Sequence, residues 1–381
     1  MEWRNEESEA VIKLELFEHQ VAGHAQSLWR VVERVTAARG YDTVTVDSGI
    51  VDAHTDNNAD NGGTRTELET CLLAKQLQPV EAAFYVASQA VPSTLTPFLP
   101  AFHGVYTARI PPNLNATNNR GDGVRFAKVL VIQNTIAHLP KPSVADIKLG
   151  TRLFGPDANA EKIGRMISHA KNTTSGAVGL RICGLKVYCQ NQNSSFSSYT
   201  VASREFGRSL TPESLPSGFA QFFAEIGNQD IRTLLIRRFL FKISVLLDAL
   251  KQTECRLYGA SLLLAFDNSC LTASTPVKSI DPFIVVRLID FAHSFYCPGN
   301  GYDEGAIFAT TVRTRFLKPL PIGIVYKDPR NQHTYKVIEK RINTTFSKYG
   351  APYLGPTEPA LIDVPDKWMK MTNPQQANIN Q

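Results

Sequence analysis

The chain has 381 residues, 43% of them hydrophobic and 20% charged, enough apolar mass for about two ordinary cores. A formal charge of +5, with no block of five or six adjacent Lys/Arg, suits an anionic ligand and gives no ground for direct nucleic acid binding. The six cysteines are scattered without C-x-x-C or zinc spacing, no apolar run reaches 18 residues, and the acidic start M-E-W-R-N-E-E-S-E lacks a leader's apolar core. No zinc finger, membrane span or signal peptide is therefore expected, and a reducing compartment is.

In chain order, residues 10–24 alternate in places and end at Gly23, as a strand and tight turn would. Residues 36–66 hold too few apolar side chains to pack and read as a long polar loop. A strand over 68–77 carries Lys75, and an Ala-rich helix over 80–91 stops at Pro92. The apolar run 127–134 reads as a central strand, and 142–150 as another. Helices are expected over 158–171, 212–228 and 230–254, and the glycine-punctuated stretch 176–188 reads as a strand pair or a bent strand. The runs 260–267 and 282–291 are continuously apolar, so both faces of each strand should be buried. After about Phe316 no periodic core segment is visible.

Residues 142–150, P-S-V-A-D-I-K-L-G, raise the first question of chemistry. On a strand, Asp146 and Lys148 share one face, and Ala145, Ile147 and Leu149 line the other. The pair reads as a surface ion pair worth little, or as two tools at one site. Other charged residues stand at structured places. Lys75 lies on a strand, Glu81 follows on a helix, and Asp290 ends a buried strand. That order resembles the layout of a protein kinase, in which a strand lysine grips nucleotide phosphates and a strand-end aspartate holds Mg²⁺. The protein-kinase catalytic-loop and Walker motifs are absent from the chain.

P-x-x-x-D-x-K-x-G over 142–150 resembles the signature of the inositol polyphosphate kinase family, and five further blocks follow the family's order. They are F-E-H-Q-V-A-G-H (17–24), A-K-Q-L-Q-P (74–79), the block 173–188 with F-G-R-S-L-T (206–211) after it, A-S-L-L (260–263) with I-D-F-A-H-S (289–294), and P-G-N-G-Y-D-E (298–304). The resemblance implies a two-lobed α+β fold distantly related to protein kinases, with ATP in the interlobe cleft. It also implies transfer of the γ-phosphate of ATP, with Mg²⁺, to a hydroxyl of an inositol phosphate.

Carried over residue by residue, the resemblance makes Lys148 and Asp290 catalytic, with Asp290 the metal ligand. Lys75, Glu81, Gln133, Thr135, Asp146 and Asp290 would bind ATP, Asp146 through the ribose. Gln133 and Asn134 stand where many members carry acids. Lys148, Lys162, Arg165, His169, Lys186, Arg204 and His293 would bind substrate. The helical trio Lys162, Arg165 and His169, spaced i, i+3, i+7, also reads as a solvated basic face. Ala260 replaces the first serine usual in the family's S-S-L-L.

The expected division is an N-lobe over 1–135, a C-lobe over 136–316 whose segment 151–205 binds the inositol phosphate, and a loosely packed or disordered tail over 317–381. Within the family the blocks lean toward the multikinase branch, acting on tris- and tetrakisphosphates. Gly150-Thr151-Arg152 leans toward the hexakisphosphate kinases, which make pyrophosphates. A non-catalytic scaffold among transcription-factor partner proteins is the reading from a different class. The expected location is nucleus and cytoplasm.

Overall fold

The computed structural model describes residues 10–16, 20, 28–36, 71–90, 93–110, 125–189, 198–267, 269 and 280–317. The chain divides into two compact units. One comprises residues 1–17, 26–76 and 103–134, and the other 18–25, 77–102 and 135–381. The expected polar loop (apart from Thr36) and the tail beyond residue 317 lie outside the described residues.

The first unit is a closed five-stranded barrel of β1 (Ala10–Leu16), β2 (Leu28–Thr36), β3 (Leu72–Gln76), β4 (Phe102–Ile110) and β5 (Arg125–Gln133), in the order β1-β2-β3-β5-β4. A parallel pairing of β1 with β4, Val11 opposite Thr107, closes it and leaves no edge. Leu72, Ala74, Ala108, Val129 and Val131 fill its centre, with Tyr106 packed against them. Strand β3 carries Lys75 opposite Leu130.

Helix α1 (Pro79–Ala90) groups with the second unit. Its aromatic residues give the reason. The Phe84 ring stacks on Phe291 at 4.5 Å and on Tyr296 at 5.0 Å, and Tyr85 meets Phe291 edge-on. Such buried aromatic pairs outweigh proximity in sequence.

The second unit is built on an antiparallel sheet, β11-β10-β6-β7-β8. Its strands are β6 (Ser143–Leu149), β7 (Leu180–Cys189), β8 (Ser198–Ala202), β10 (Ser261–Phe266) and β11 (Ile284–Ile289). A small ribbon joins β9 (Cys255–Leu257) to β12 (Ser294–Tyr296). The register sorts the sheet into two faces. Ala145, Ile147, Leu262, Leu264, Val286 and Leu288 lie on one, and Asp146, Lys148, Ser261 and Arg287 on the other.

The apolar core continues into helices α5 (Leu215–Phe222) and α6 (Gln229–Leu250), where Phe219, Phe222, Phe223 and Phe239 are buried with Phe266 of β10. Helix α6 starts where the Asn228 side chain accepts from the Asp230 and Ile231 N–H groups. Helix α2 (Ala160–Lys171) starts on Asn159, whose Oδ1 accepts from the Lys162 N–H.

Two segments differ from the sequence reading. Residues 176–178, expected to open a strand, lie instead in a helical turn, α3 (Thr174–Val178). Gly179 ends it at φ 69°, and β7 begins at the next residue. Beyond Asp303, helix α7 (Glu304–Leu317) buries Ala306, Ala309 and Thr310, although its sequence shows no clear apolar stripe. A side chain on Gly179 would sit 2.8 Å from the Phe308 ring, so α7 lies directly over that turn. No helix among the described residues is long and apolar enough to cross a membrane.

Candidate active site

Asp146 and Lys148 stand where the strand argument puts them, on one face of β6. Lys148 Nζ donates to the Gly259 carbonyl at 2.7 Å and lies 3.8 Å from Asp290 Oδ2. Gly259 takes φ 66°, a backbone that glycine adopts without penalty, and this turns its carbonyl to the lysine. Asp146 is 5% exposed, and its Oδ1 has no hydrogen-bond partner among the described residues. Burial raises its carboxyl above the ordinary value, while Lys148 pulls it down. A buried, unsatisfied oxygen beside a lysine is poised to accept from a ligand.

Asp290 follows β11 directly and is, among the described residues, the one non-glycine with positive φ, at 64°. A left-handed aspartate costs on the order of 1 kcal/mol or more and persists where its surroundings fix it. Glu81 helps to fix it: its Oε1 accepts from the Phe291 N–H at 3.1 Å. The residue expected to partner Lys75 thus also holds the turn that follows Asp290. No group of three or more His, Cys, Asp or Glu with metal-binding geometry occurs among the described residues. A cation here would rely on one protein carboxylate and on ligand oxygens, a donor set suited to a hard divalent ion bound with phosphates.

The basic residues divide. Lys162 Nζ donates to His293 Nε2 at 3.4 Å, so that nitrogen is unprotonated. Burial, then Lys162, holds His293 below its ordinary pKa. The pair ties α2 to the turn after Asp290. His169 Nε2 accepts from Arg181 Nη1 in a short contact, and burial followed by Arg181 lowers its pKa. Arg165 departs from this arrangement. It pairs with Glu161 at 3.0 Å with its side chain 63% exposed, the form of a surface ion pair worth little. The three residues therefore do not act as one basic face.

Lys186 lies over the Tyr199 ring at 4.5 Å, on the same sheet face as Asp146. Arg204 is half-buried at the start of α4 (Arg204–Ser209). Gln133 ends β5 exposed. The Asn134 N–H bonds to Cys71 at 2.6 Å, and Thr135, buried, begins the second unit's main segment. Ser261 is fully buried opposite Lys148, so the serine next to the substituted Ala260 keeps its place.

Arg181 escaped the sequence reading. Strict alternation back from Lys186 places Ile182 on the site face and Arg181 on the other. A bulge at Cys183, where the register steps from Gly184 opposite Asp146 to Ile182 opposite Ile147, returns Arg181 to the site face. Gly184 inside the strand was the available signal.

A family model described as "Inositol polyphosphate kinase" matches residues 129–316. Inositol hexakisphosphate kinase 3 of Mus musculus is 31% identical over 210 residues, 51% of this chain and 52% of that protein. Inositol polyphosphate multikinase of Saccharomyces cerevisiae is 25% identical over 328 residues, 65% of this chain and 92% of that protein. The solved structure of inositol phosphate multikinase Ipk2 from S. cerevisiae, in complex with ADP and Mn²⁺, superposes with a TM-score of 0.53. Its identity is 27%, covering 65% of this chain and 98% of that one. The chain spans about half the length of the hexakisphosphate kinases that it matches.

The fold and site define an α+β kinase-like protein. Over residues 129–316, just under half of its length, the chain matches the inositol polyphosphate kinase family.

Proposed function

We propose that the protein transfers the γ-phosphate of ATP to a hydroxyl of an inositol phosphate, with Mg²⁺. The observation that carries the reading is the junction of Lys148 with Asp290 at 3.8 Å, Asp290 being held in a left-handed backbone. Backbone strain of this kind gathers at functional sites, which supports a catalytic role over a scaffold alone.

Phosphoryl transfer needs positioning and charge neutralisation more than covalent chemistry. Asp290 would hold the divalent ion, which when bound would neutralise phosphate charge. Lys148 Nζ, steered by the Gly259 carbonyl and Asp290, sits where an ammonium can orient the acceptor hydroxyl against the transferring phosphate. Asp146, with a spare buried oxygen, can accept from a ribose hydroxyl. Lys75 on the barrel suits the ATP phosphates, as in the family pattern.

For the acceptor we infer inositol trisphosphate and then the tetrakisphosphate, ahead of the hexakisphosphate. Support comes from the compact segment 151–205 and from the alignment with the yeast multikinase over 65% of this chain, against 51% for the hexakisphosphate kinase. The test is kcat/KM for the three acceptors in parallel with ATP and Mg²⁺. A tenfold win for the hexakisphosphate, about 1.4 kcal/mol of transition-state preference, overturns the substrate order. No turnover of any of the three overturns the kinase reading.

A further inference from the structure

We propose that Arg181, Arg204 and Arg208 form a wall that binds a phosphate monoester of the acceptor, remote from the hydroxyl that reacts. The proposal rests on the kinase reading above and adds Arg181 and Arg208 to its substrate contacts.

Arg181 is 6% exposed and stands directly opposite Lys148 across β6 and β7. Like charges in that relation are destabilising, and a buried guanidinium without an anion is more so. Its hydrogen bonds among the described residues go to His169 Nε2 and, at 3.8 Å, to Cys183 Sγ. Neither is an anion, because burial keeps the Cys183 thiol protonated. Arg181 Nε is buried and has no hydrogen-bond partner among the described residues. Asp146, on the same face, and Asp290, 3.8 Å from Lys148, are the nearby carboxyls that face Lys148 and Arg181. Arg204 and Arg208 add cations beyond those two carboxyls, as a polyanion site requires.

Helix α4 brings the rest of the wall. Strand β8 pairs with β7 only from Leu185 to Cys189, and α4 lies against β7 beyond that pairing, at Ile182. The approach is so close that a Cβ on Gly207 would lie 1.7 Å from the Ile182 carbonyl oxygen. Only glycine permits it. Arg204 and Arg208, four residues apart on one side of the helix, flank that contact. Both add to the positive field at His169. Glu205 on the same turn is exposed, and its pKa is lowered first by the Ser203 hydroxyl, then by a backbone hydrogen bond, and least by Arg208 and Arg204.

Guanidinium groups recognise phosphate oxygens in pairs, and a phosphomonoester brings roughly −1.5 to −2 charges at pH 7. With His169 accepting from Arg181, the positive charge of this corner comes from the arginines and His169 serves as their neutral brace.

The experiment uses the full chain and its Arg208→Ala, Arg181→Gln and Arg181→Lys variants, with Arg237→Ala as a control for lost surface charge. Steady-state kinetics with inositol trisphosphate at saturating ATP are paired with calorimetric titration of inositol hexakisphosphate without nucleotide. Arg208 is exposed, so its truncation should leave the fold intact. For Arg208→Ala we expect KM for the acceptor and Kd for the hexakisphosphate to rise about tenfold, with kcat and KM for ATP within about threefold. Arg181→Lys should recover less than half of the loss of Arg181→Gln, since an ammonium cannot bind in a fork. The wall is overturned if Arg208→Ala leaves acceptor KM and hexakisphosphate Kd within twofold of wild type, or if Arg237→Ala matches its effect. If wild type turns over no inositol phosphate, the kinase reading fails, and the calorimetric arm still decides the wall.

Discussion

Glu81 Oε1 accepts a 3.1 Å hydrogen bond from the backbone N–H of Phe291, 210 residues further along the chain. The acceptor is buried on α1, and the donor follows the left-handed Asp290. Phe84, three residues after Glu81, stacks on the Phe291 ring. One helix therefore clamps both the backbone and the side chain of the residue after the candidate metal ligand.

Removing the clamp should loosen Asp290. Glu81→Ala leaves a buried N–H unpaired, at a cost of about 1–3 kcal/mol in stability. Its half-activating Mg²⁺ concentration should rise about tenfold or more. Glu81→Gln keeps an acceptor and should retain most of the stability. Denaturant melts and metal titrations of activity check this. An Ala variant with wild-type metal dependence would show that Glu81 serves elsewhere.

Strain and function separate at Asp290. Asn and Gly both tolerate its backbone, so Asp290→Asn and Asp290→Gly should fold. Asp290→Gly should gain about 1 kcal/mol of stability from relieved strain. Both should lose turnover by two orders of magnitude or more, because the carboxylate charge is gone. Activity near wild type in the Asn variant would remove Asp290 from the reaction.

Lys148 and Asp146 should fail differently. Lys148→Ala should abolish turnover with ATP affinity within severalfold, and Asp146→Ala should weaken ATP binding more. Calorimetric titration with ATP settles the order, and the reverse order would exchange the two roles.

Much of this was legible in the sequence because period and charge agreed. The strand bearing Asp146 and Lys148, the strand ending at Asp290 and helices α1, α2 and α6 lie within a few residues of their expected bounds. What escaped was set by contacts distant in sequence. The bulge at Cys183 inverts the face of Arg181, and no local period encodes it. The place of α4 depends on a missing side chain at Gly207. Helix α7 has a weak apolar pattern, and its burial comes from its seat over Gly179.

That seat separates two truncations. A chain ending at residue 319 should keep its activity and melt like wild type. A chain ending at residue 303 loses buried Ala306, Ala309 and Thr310 and uncovers Gly179 and Val178. Its product should be insoluble or molten by near-ultraviolet circular dichroism. Insolubility of the longer chain would show that residues after 319 belong to the fold.

The last prediction uses the burial of Asp146. Burial raises its carboxyl in the folded protein, the pull of Lys148 notwithstanding. A carboxyl with a raised folded pKa holds its proton more firmly when folded. Its contribution to stability is therefore full below the ordinary carboxyl range, about 4, and is lost as pH rises through the folded value. Asparagine never ionises and avoids that loss. Asp146→Asn should then melt above wild type at pH 7, and the gap should close as both are acidified toward pH 4. The same variant should bind ATP more weakly, since a ribose hydroxyl meets a neutral amide in place of a carboxylate. Melts at both pH values and a calorimetric ATP titration measure the two effects. An Asn variant that melts below wild type at pH 7 would mean that attraction to Lys148 outweighs the burial of the charge.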